Sequence, residues 1–188
     1  FIVGGDNPLA LIEPVLDSII AEDPDFMLHA GDMVVNGINT KEWYEFQGRL
    51  KEFTGNYVMM PVYGNHEEDS PTMAELFQHP VNNAIDSTNE GHWFSFDYNN
   101  IHIIGLDVQR GYGPNTEQYQ WLLNDLQSID DNIDHRIVYF HQPAYNSTGY
   151  HGPNNRVRQY LEPLLLEYGV DLVFSGHNHH YERSLANG

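Results

Sequence analysis

His177 and His179 stand two residues apart, just after the apolar run 170–174 and the turn Ser175-Gly176. In extended backbone, side chains at i and i+2 face the same way, so both imidazoles can meet one point. Neutral imidazole is the commonest metal ligand among side chains. By itself such a pair is more often a solvated loop. Four other places repeat the form, in which an apolar, β-branched or aromatic run ends in an oxygen or imidazole donor. Residues 1–3 run into Gly5-Asp6, and 26–29 into Gly31-Asp32. Residues 57–60 run into Gly64-Asn65-His66-Glu67, and 136–140 into His141. Each has an ordinary alternative: an Asp after a strand caps a turn, Gly-Asn makes one, and His141 could merely close its strand. Five such endings in one chain point to a metal site. Carboxylate plus imidazole suits Mn, Fe or Zn better than Ca.

The elements that must carry these endings alternate between strand and helix, which is the pattern of an α/β fold. In such folds ligands gather beyond the carboxyl ends of the strands. After the first strand, Leu9, Ile12, Leu16, Ile19 and Ile20 share a helical face, with Pro14 implying a late start or a kink. Thr40 is the expected cap of a helix whose Trp43, Phe46, Leu50 and Phe53 align. Residues 68–91 read as polar loop with one short helix. The alternating stretch 92–98 and the apolar run 101–106 flank Asn99-Asn100, a hairpin turn. Thr116 opens a helix carrying Tyr119, Leu122, Leu126 and Ile129. The last helix carries Val157, Tyr160, Leu161, Leu164 and Tyr168; it is interrupted at Pro163 and stopped by Gly169.

Composition narrows the function. The 188 residues fit one globular domain spanning 1–188. A formal net charge of −19 repels nucleic-acid backbones and anionic membranes, so neither is expected as a partner. No apolar run approaches the roughly 18–20 residues of a membrane span. The absence of cysteine removes disulfides, thiolate metal sites and a cysteine nucleophile. The chain opens inside its first strand, so a leader or earlier domain is expected to have preceded it, and a secreted or periplasmic location is expected.

Taken in order, Gly5-Asp6, Gly31-Asp32, Gly64-Asn65-His66-Glu67, His141 and Gly176-His177-Asn178-His179 resemble the motifs of the calcineurin-like metallophosphoesterases. Tyr181-Glu182-Arg183 and the run His141-Gln142-Pro143-Ala144-Tyr145-Asn146-Ser147, with His151 beyond it, resemble the purple acid phosphatase branch. The resemblance covers nearly the whole chain. It implies a four-layer α/β/β/α sandwich and two adjacent metal ions, from Fe, Zn or Mn. One ion would take Asp6, Asp32 and His179; the other would take Asp32, Asn65, His141 and His177, with Asp32 bridging. Two cations about 3.5–4 Å apart clamp a phosphoryl group and activate a shared water as hydroxide nucleophile. His66 and His151 are the implied catalytic residues, facing the phosphoryl group and the leaving group. Tyr145, Asn146 and Tyr150 could line the pocket, and His29, His92 and His180 read as structural or rim residues.

The implied reaction is hydrolysis of a small phosphate ester, a monoester first. A phosphodiesterase or nucleotide hydrolase on the same site, or a catalytically silent metal-binding module, is the alternative. Three departures stand out. Val35 occupies the place of the branch's metal-bound tyrosine, which removes the charge-transfer colour and the main support for ferric iron. Pro8 stands where many relatives carry a further histidine, leaving the first metal with three ligands. The chain also stops at Gly188, where the family usually continues with more strands, so part of the second sheet is expected to lie beyond it.

Overall fold

Successive side chains of a strand point to opposite faces of a sheet, so a strand buried on both faces must be apolar throughout. Residues 26–28 and 137–140 meet that condition, and they lie on inner strands of two sheets. The computed structural model describes residues 1–6, 13–81, 91–149 and 151–185. In the first sheet, β1 (Ile2–Gly4), β2 (Phe26–His29) and β3 (Val58–Pro61) run parallel in the order β1-β2-β3. In the second, β4 (Phe94–Tyr98) pairs antiparallel with β5 (Ile101–Gly105). β6 (His135–Tyr139) and β7 (Leu172–Phe174) then extend that sheet in parallel.

The pleat sorts the apolar side chains into three cores and hence four layers. Phe26 and Leu28 of β2 meet Phe94, Ile103, Ile137 and Tyr139 in a core between the sheets. Met27 and Met59, pointing the other way, meet Leu16, Trp43, Phe46, Leu50, Phe53 and Met73. These come from α1 (Glu13–Ala21), α2 (Thr40–Thr54) and α3 (Pro71–Leu76). Ile104 and Val138 on the outer face of the second sheet meet Leu122 and Leu126 of α4 (Glu117–Gln127) and Leu164 and Leu165 of α5 (Glu162–Glu167). The α/β/β/α sandwich is thus set by the period of two in the central strands and the helical spacing of their partners.

Local signals behave mostly as read. Helix α1 is described from Glu13 onward; the stretch before it, with Leu9 and Ile12, lies outside the described residues, and the late start expected from Pro14 falls there. The short helix expected within 68–91 is α3, with Ser70 capping it and Pro71 in its first turn. Thr116 accepts from the Tyr119 N–H at 3.4 Å and starts α4. Asn99, at φ 54°, turns the hairpin. The cap of α2 is Asn39 rather than Thr40: Asn39 keeps non-helical backbone and accepts from the Lys41 N–H, while Thr40 is already helical. At Pro163 the expected break is a widened π-helical turn, Val157–Leu161, leading directly into α5. Proline has no N–H to donate into the preceding turn, and wider spacing there relieves the ring's clash. Gly169, at φ 65°, ends the helix as its left-handed stop.

One buried ion pair bridges layers. His102 of β5 is held between Asp97 of β4 at 2.5 Å and Asp125 of α4 at 2.8 Å. Burial would lower its pKa, but the two carboxylates outweigh that and raise it above 6.5. The stabilisation is therefore complete below the unfolded value and is lost as pH rises through the higher folded one. Asp97 is more than half exposed, so most of the effect rests on Asp125. His102→Gln is expected to cost about 1–2 kcal/mol at about pH 6 and less above about pH 8. Urea denaturation at both pH values measures it, and a pH-independent difference would contradict the charged bridge.

Candidate metal centre

All the donor-bearing strand ends open at one end of the sandwich, and the loops leaving them are fastened to one another. The Ala30 N–H donates to the Gly4 carbonyl at 2.8 Å, and Asp6 N–H to the Gly31 carbonyl at 3.0 Å. The Gly176 N–H donates to the His141 carbonyl at 2.8 Å. Between the sheets, His141 Nδ1 lies 2.8 Å from the Ala30 carbonyl oxygen. A carbonyl only accepts, so Nδ1 carries the proton and, in the neutral ring, Nε2 presents its lone pair to the centre.

Around that Nε2 the other donors gather. Asp32 Oδ2 is 3.0 Å away, Asn65 Oδ1 3.1 Å and His177 Nδ1 3.2 Å. Atoms about 2.1 Å from a shared cation stand roughly 3.0–3.4 Å from each other, so this spacing fits a first-row metal. Asp32, His141 and His177 form the one such cluster of acidic or imidazole groups among the described residues. Asn65 completes the set from the first sheet.

The second group is looser. His179 Nε2 lies 3.7 Å from Asp6 Oδ1, and the His179 side chain is 53% exposed. Asp6 Oδ2 accepts from the His177 N–H at 2.5 Å, while the buried Oδ1 has no hydrogen-bond partner among the described residues. An orphaned carboxylate oxygen buried beside a histidine is what a cation would satisfy. The residues therefore fit one metal with four donors, and Asp6 and His179 lie near each other as candidate donors to a second. Pro8, where a further donor would stand in many relatives, lies outside the described residues.

Backbone geometry makes this convergence possible. Asp6, Asp32 and His177 all have positive φ, at 50°, 57° and 69°. Left-handed backbone in non-glycine residues costs on the order of 1–3 kcal/mol each and persists where the surroundings demand it. Three of the six predicted ligands adopt it. Gly64 and Gly176 admit the two carboxylates: a Cβ at Gly64 would meet Asp32 Oδ1 at 2.2 Å, and one at Gly176 would meet Asp6 Oδ2 at 2.3 Å.

Burial would lower His141, but Asp32 and Asp6 raise it above the ordinary imidazole value, so a cation would take the place of a proton on Nε2. Burial and the neighbouring His141 and His151 charges push His177 down to about 4, so it is neutral and free to ligate. Burial alone would raise Asp32, but its bond to His141 and the nearby His66 hold it below the usual carboxylate range. Asp6 is raised, by burial first and then by Asp32. His29, beneath the site, is pushed down to about 3 by burial and accepts from the Gly31 N–H at 3.2 Å, a structural role.

Both predicted catalytic histidines lie beside the centre. His66 N–H donates to Asp32 Oδ1 at 3.0 Å, and its Nδ1 donates to the Val35 carbonyl at 2.8 Å, which orients the ring. Val35, in the place of the missing tyrosine, thus contributes its backbone oxygen. The His151 ring stacks on His177 with centroids 4.2 Å apart. Tyr145 bonds Glu162 at 2.8 Å, and Asn146 bonds the His151 carbonyl, so Asn146 shapes the loop. Tyr150 lies outside the described residues.

Glu67 carries a role that motif reading left unassigned. It is fully buried, and its carboxylate accepts from the N–H groups of Asp32 at 2.8 Å, Met33 at 2.7 Å and Gly64 at 2.6 Å. It ties the second and third ligand loops together. Burial and the Asp32 charge push its pKa up to about 6 against the pull of these donors. The signal was an acidic residue two places after Asn65, in a stretch otherwise accounted for. His92 takes the structural one of its two readings: it bridges Asp107 at 2.7 Å and Asp69 at 3.3 Å and stacks on Tyr63, just before the third motif.

Residues 5–181 match the family model described as calcineurin-like phosphoesterase, and the chain belongs to that family. Within it, the likeness is to the purple acid phosphatases. The chain is 32% identical over 151 residues to purple acid phosphatase 15 of Arabidopsis thaliana, covering 75% of this chain and 28% of that protein. It is 31% identical over 197 residues to probable purple acid phosphatase 20 of the same plant, covering 97% and 46%. The fold matches a purple acid phosphatase from yellow lupin (Lupinus luteus) seeds with a TM-score of 0.80 at 20% identity, over 95% of this chain and 37% of that one. The chain therefore spans less than half the length of these relatives.

Proposed function

We propose that this chain is a metal-dependent phosphoric ester hydrolase acting on small phosphate monoesters through a dinuclear centre. The observation that carries the reading is the meeting of Asp32, Asn65 and His177 donor atoms 3.0–3.2 Å from His141 Nε2. Asp32, Asn65, His141 and His177 would hold one cation; Asp6, Asp32 and His179 would hold the other. Fe, Zn and Mn suit these donors, and cations there supply charge neutralisation and a lowered pKa for bound water. None of the described helices is long and apolar enough to cross a membrane.

The chain's own residues do the rest. His66, oriented by Val35 and Asp32, can donate from Nε2 only as the imidazolium, and it would then stabilise charge growing on the phosphoryl oxygens. His151, stacked on His177, would give a proton to the leaving oxygen. Turnover of p-nitrophenyl phosphate and its bis-ester with Mn, Zn or Fe added tests the reading. Faster monoester turnover supports it, faster diester turnover makes the chain a phosphodiesterase, and metal binding without turnover makes it a silent module.

The two histidines separate on a leaving-group series. His151→Ala is expected to slow alkyl esters by roughly 10²–10⁴-fold while sparing p-nitrophenyl phosphate, which needs little protonation. His66→Ala should slow both. Values of kcat/KM across the series decide, and an equal fractional loss for every ester in His151→Ala would transfer the acid role to His66.

A further inference from the structure

Beside the centre, on the side of His151, lies an open cleft of about 310 Å³. Its lining includes the candidate ligand His177, with Gln142, Asn154, Asn155 and Arg156. His151 stacks on His177, and the residues that follow it form the wall. A group leaving the phosphorus past His151 would therefore enter this cleft.

The wall carries a cation. Twenty-seven acidic residues face eight lysines and arginines, yet Arg156 is in no ion pair among the described residues. Its guanidinium lies over the rings of Tyr112, at 5.0 Å, and Tyr160, at 5.9 Å. Cation–π contact is not a hydrogen bond, so the guanidinium N–H donors can still meet a planar or tetrahedral oxyanion. The mount is firm. The Tyr112 hydroxyl donates to Asn154 Oδ1 at 3.0 Å, and that oxygen also accepts from the Arg156 N–H at 3.1 Å. Asn154 Nδ2 reaches Gln142 at 3.3 Å, next to His141. A cation fixed beside the proposed phosphate site is placed to meet a second anion.

We infer that the site is built for phosphate esters carrying a second phosphate on the leaving side, with Arg156 gripping that second group. This rests on the hydrolase reading above, but it concerns binding and can be tested apart from turnover. Arg156 sets specificity: it meets the substrate's far end and does no chemistry.

The probes are propane-1,3-diyl bisphosphonate and propylphosphonate, titrated calorimetrically into the metal-loaded protein. The matching esters, propane-1,3-diyl bisphosphate and n-propyl phosphate, are compared by kcat/KM. The bis-compound is expected to bind about 10–100-fold more tightly, as a charge-assisted bidentate contact would give. Arg156→Gln should erase that advantage and leave propylphosphonate unchanged; Arg156→Lys should restore part of it. Arg158→Gln, two residues away, should preserve it. Equal affinities in the wild type, an advantage surviving Arg156→Gln, or equal loss in Arg158→Gln would overturn the inference. A binding advantage with neither ester hydrolysed would support it and sink the hydrolase reading alone.

Discussion

Replacing His141 with alanine is expected to abolish the tighter of two metal-binding transitions and to cut turnover of p-nitrophenyl phosphate by about 10³-fold or more. His141 is wholly buried, and its Nε2 is the point on which Asp32, Asn65 and His177 converge. Its Nδ1–H to the Ala30 carbonyl fixes which nitrogen can ligate. Without the ring the four-donor set loses both a ligand and the group that spaces the others. Binding there must offset the desolvation of a multivalent cation, so one lost ligand removes a large share of the affinity. His179→Ala acts on the three-donor set and should weaken only the second transition. Calorimetric titration with Mn or Zn distinguishes them. Two transitions of equal affinity in the wild type, or loss of the weaker one in His141→Ala, would contradict the assignment.

The second large effect is on stability. Glu67→Ala strands three buried N–H donors, on Asp32, Met33 and Gly64, and should destabilise the fold by about 3–5 kcal/mol. That is a large part of an ordinary domain's stability, so the variant need not yield folded protein. Glu67→Gln keeps the shape but turns an amide NH₂ toward donors, and about 1–3 kcal/mol is expected. Denaturation in urea measures the loss. Because Glu67 joins the loops of Asp32 and Asn65, metal affinity should fall alongside stability in Glu67→Gln. A variant within about 0.5 kcal/mol of the wild type would show that the carboxylate is dispensable.

Much of this architecture could be read before any coordinates, because period-two strands and glycine-aspartate or histidine endings carry local signals. Met27 and Leu28 belong to different cores for no reason beyond the pleat. What stayed hidden depends on distant partners. Asn39 and Thr40 are both good caps, and only the backbone angle chooses between them. Glu67 reads as one more acidic residue until the N–H groups of residues 32 and 33 arrive beside it. Positive φ at Asp6, Asp32 and His177 is invisible in residue type, since none is glycine. Arg156 gains meaning only when Tyr112, far upstream, comes under it.

The donors divide by origin. Asp6, Asp32 and Asn65 leave the first sheet and offer oxygen; His141, His177 and His179 leave the second and offer nitrogen. Neither sheet alone completes a shell, so a bound cation would report the alignment of one sheet against the other. Substitutions in the buried layer between them, at Phe94 or Ile103 for instance, should therefore register as altered metal affinity without touching any ligand. Chelation, in turn, should loosen the packing of that layer, so that the centre and the core around Leu28 and Tyr139 melt as one cooperative unit.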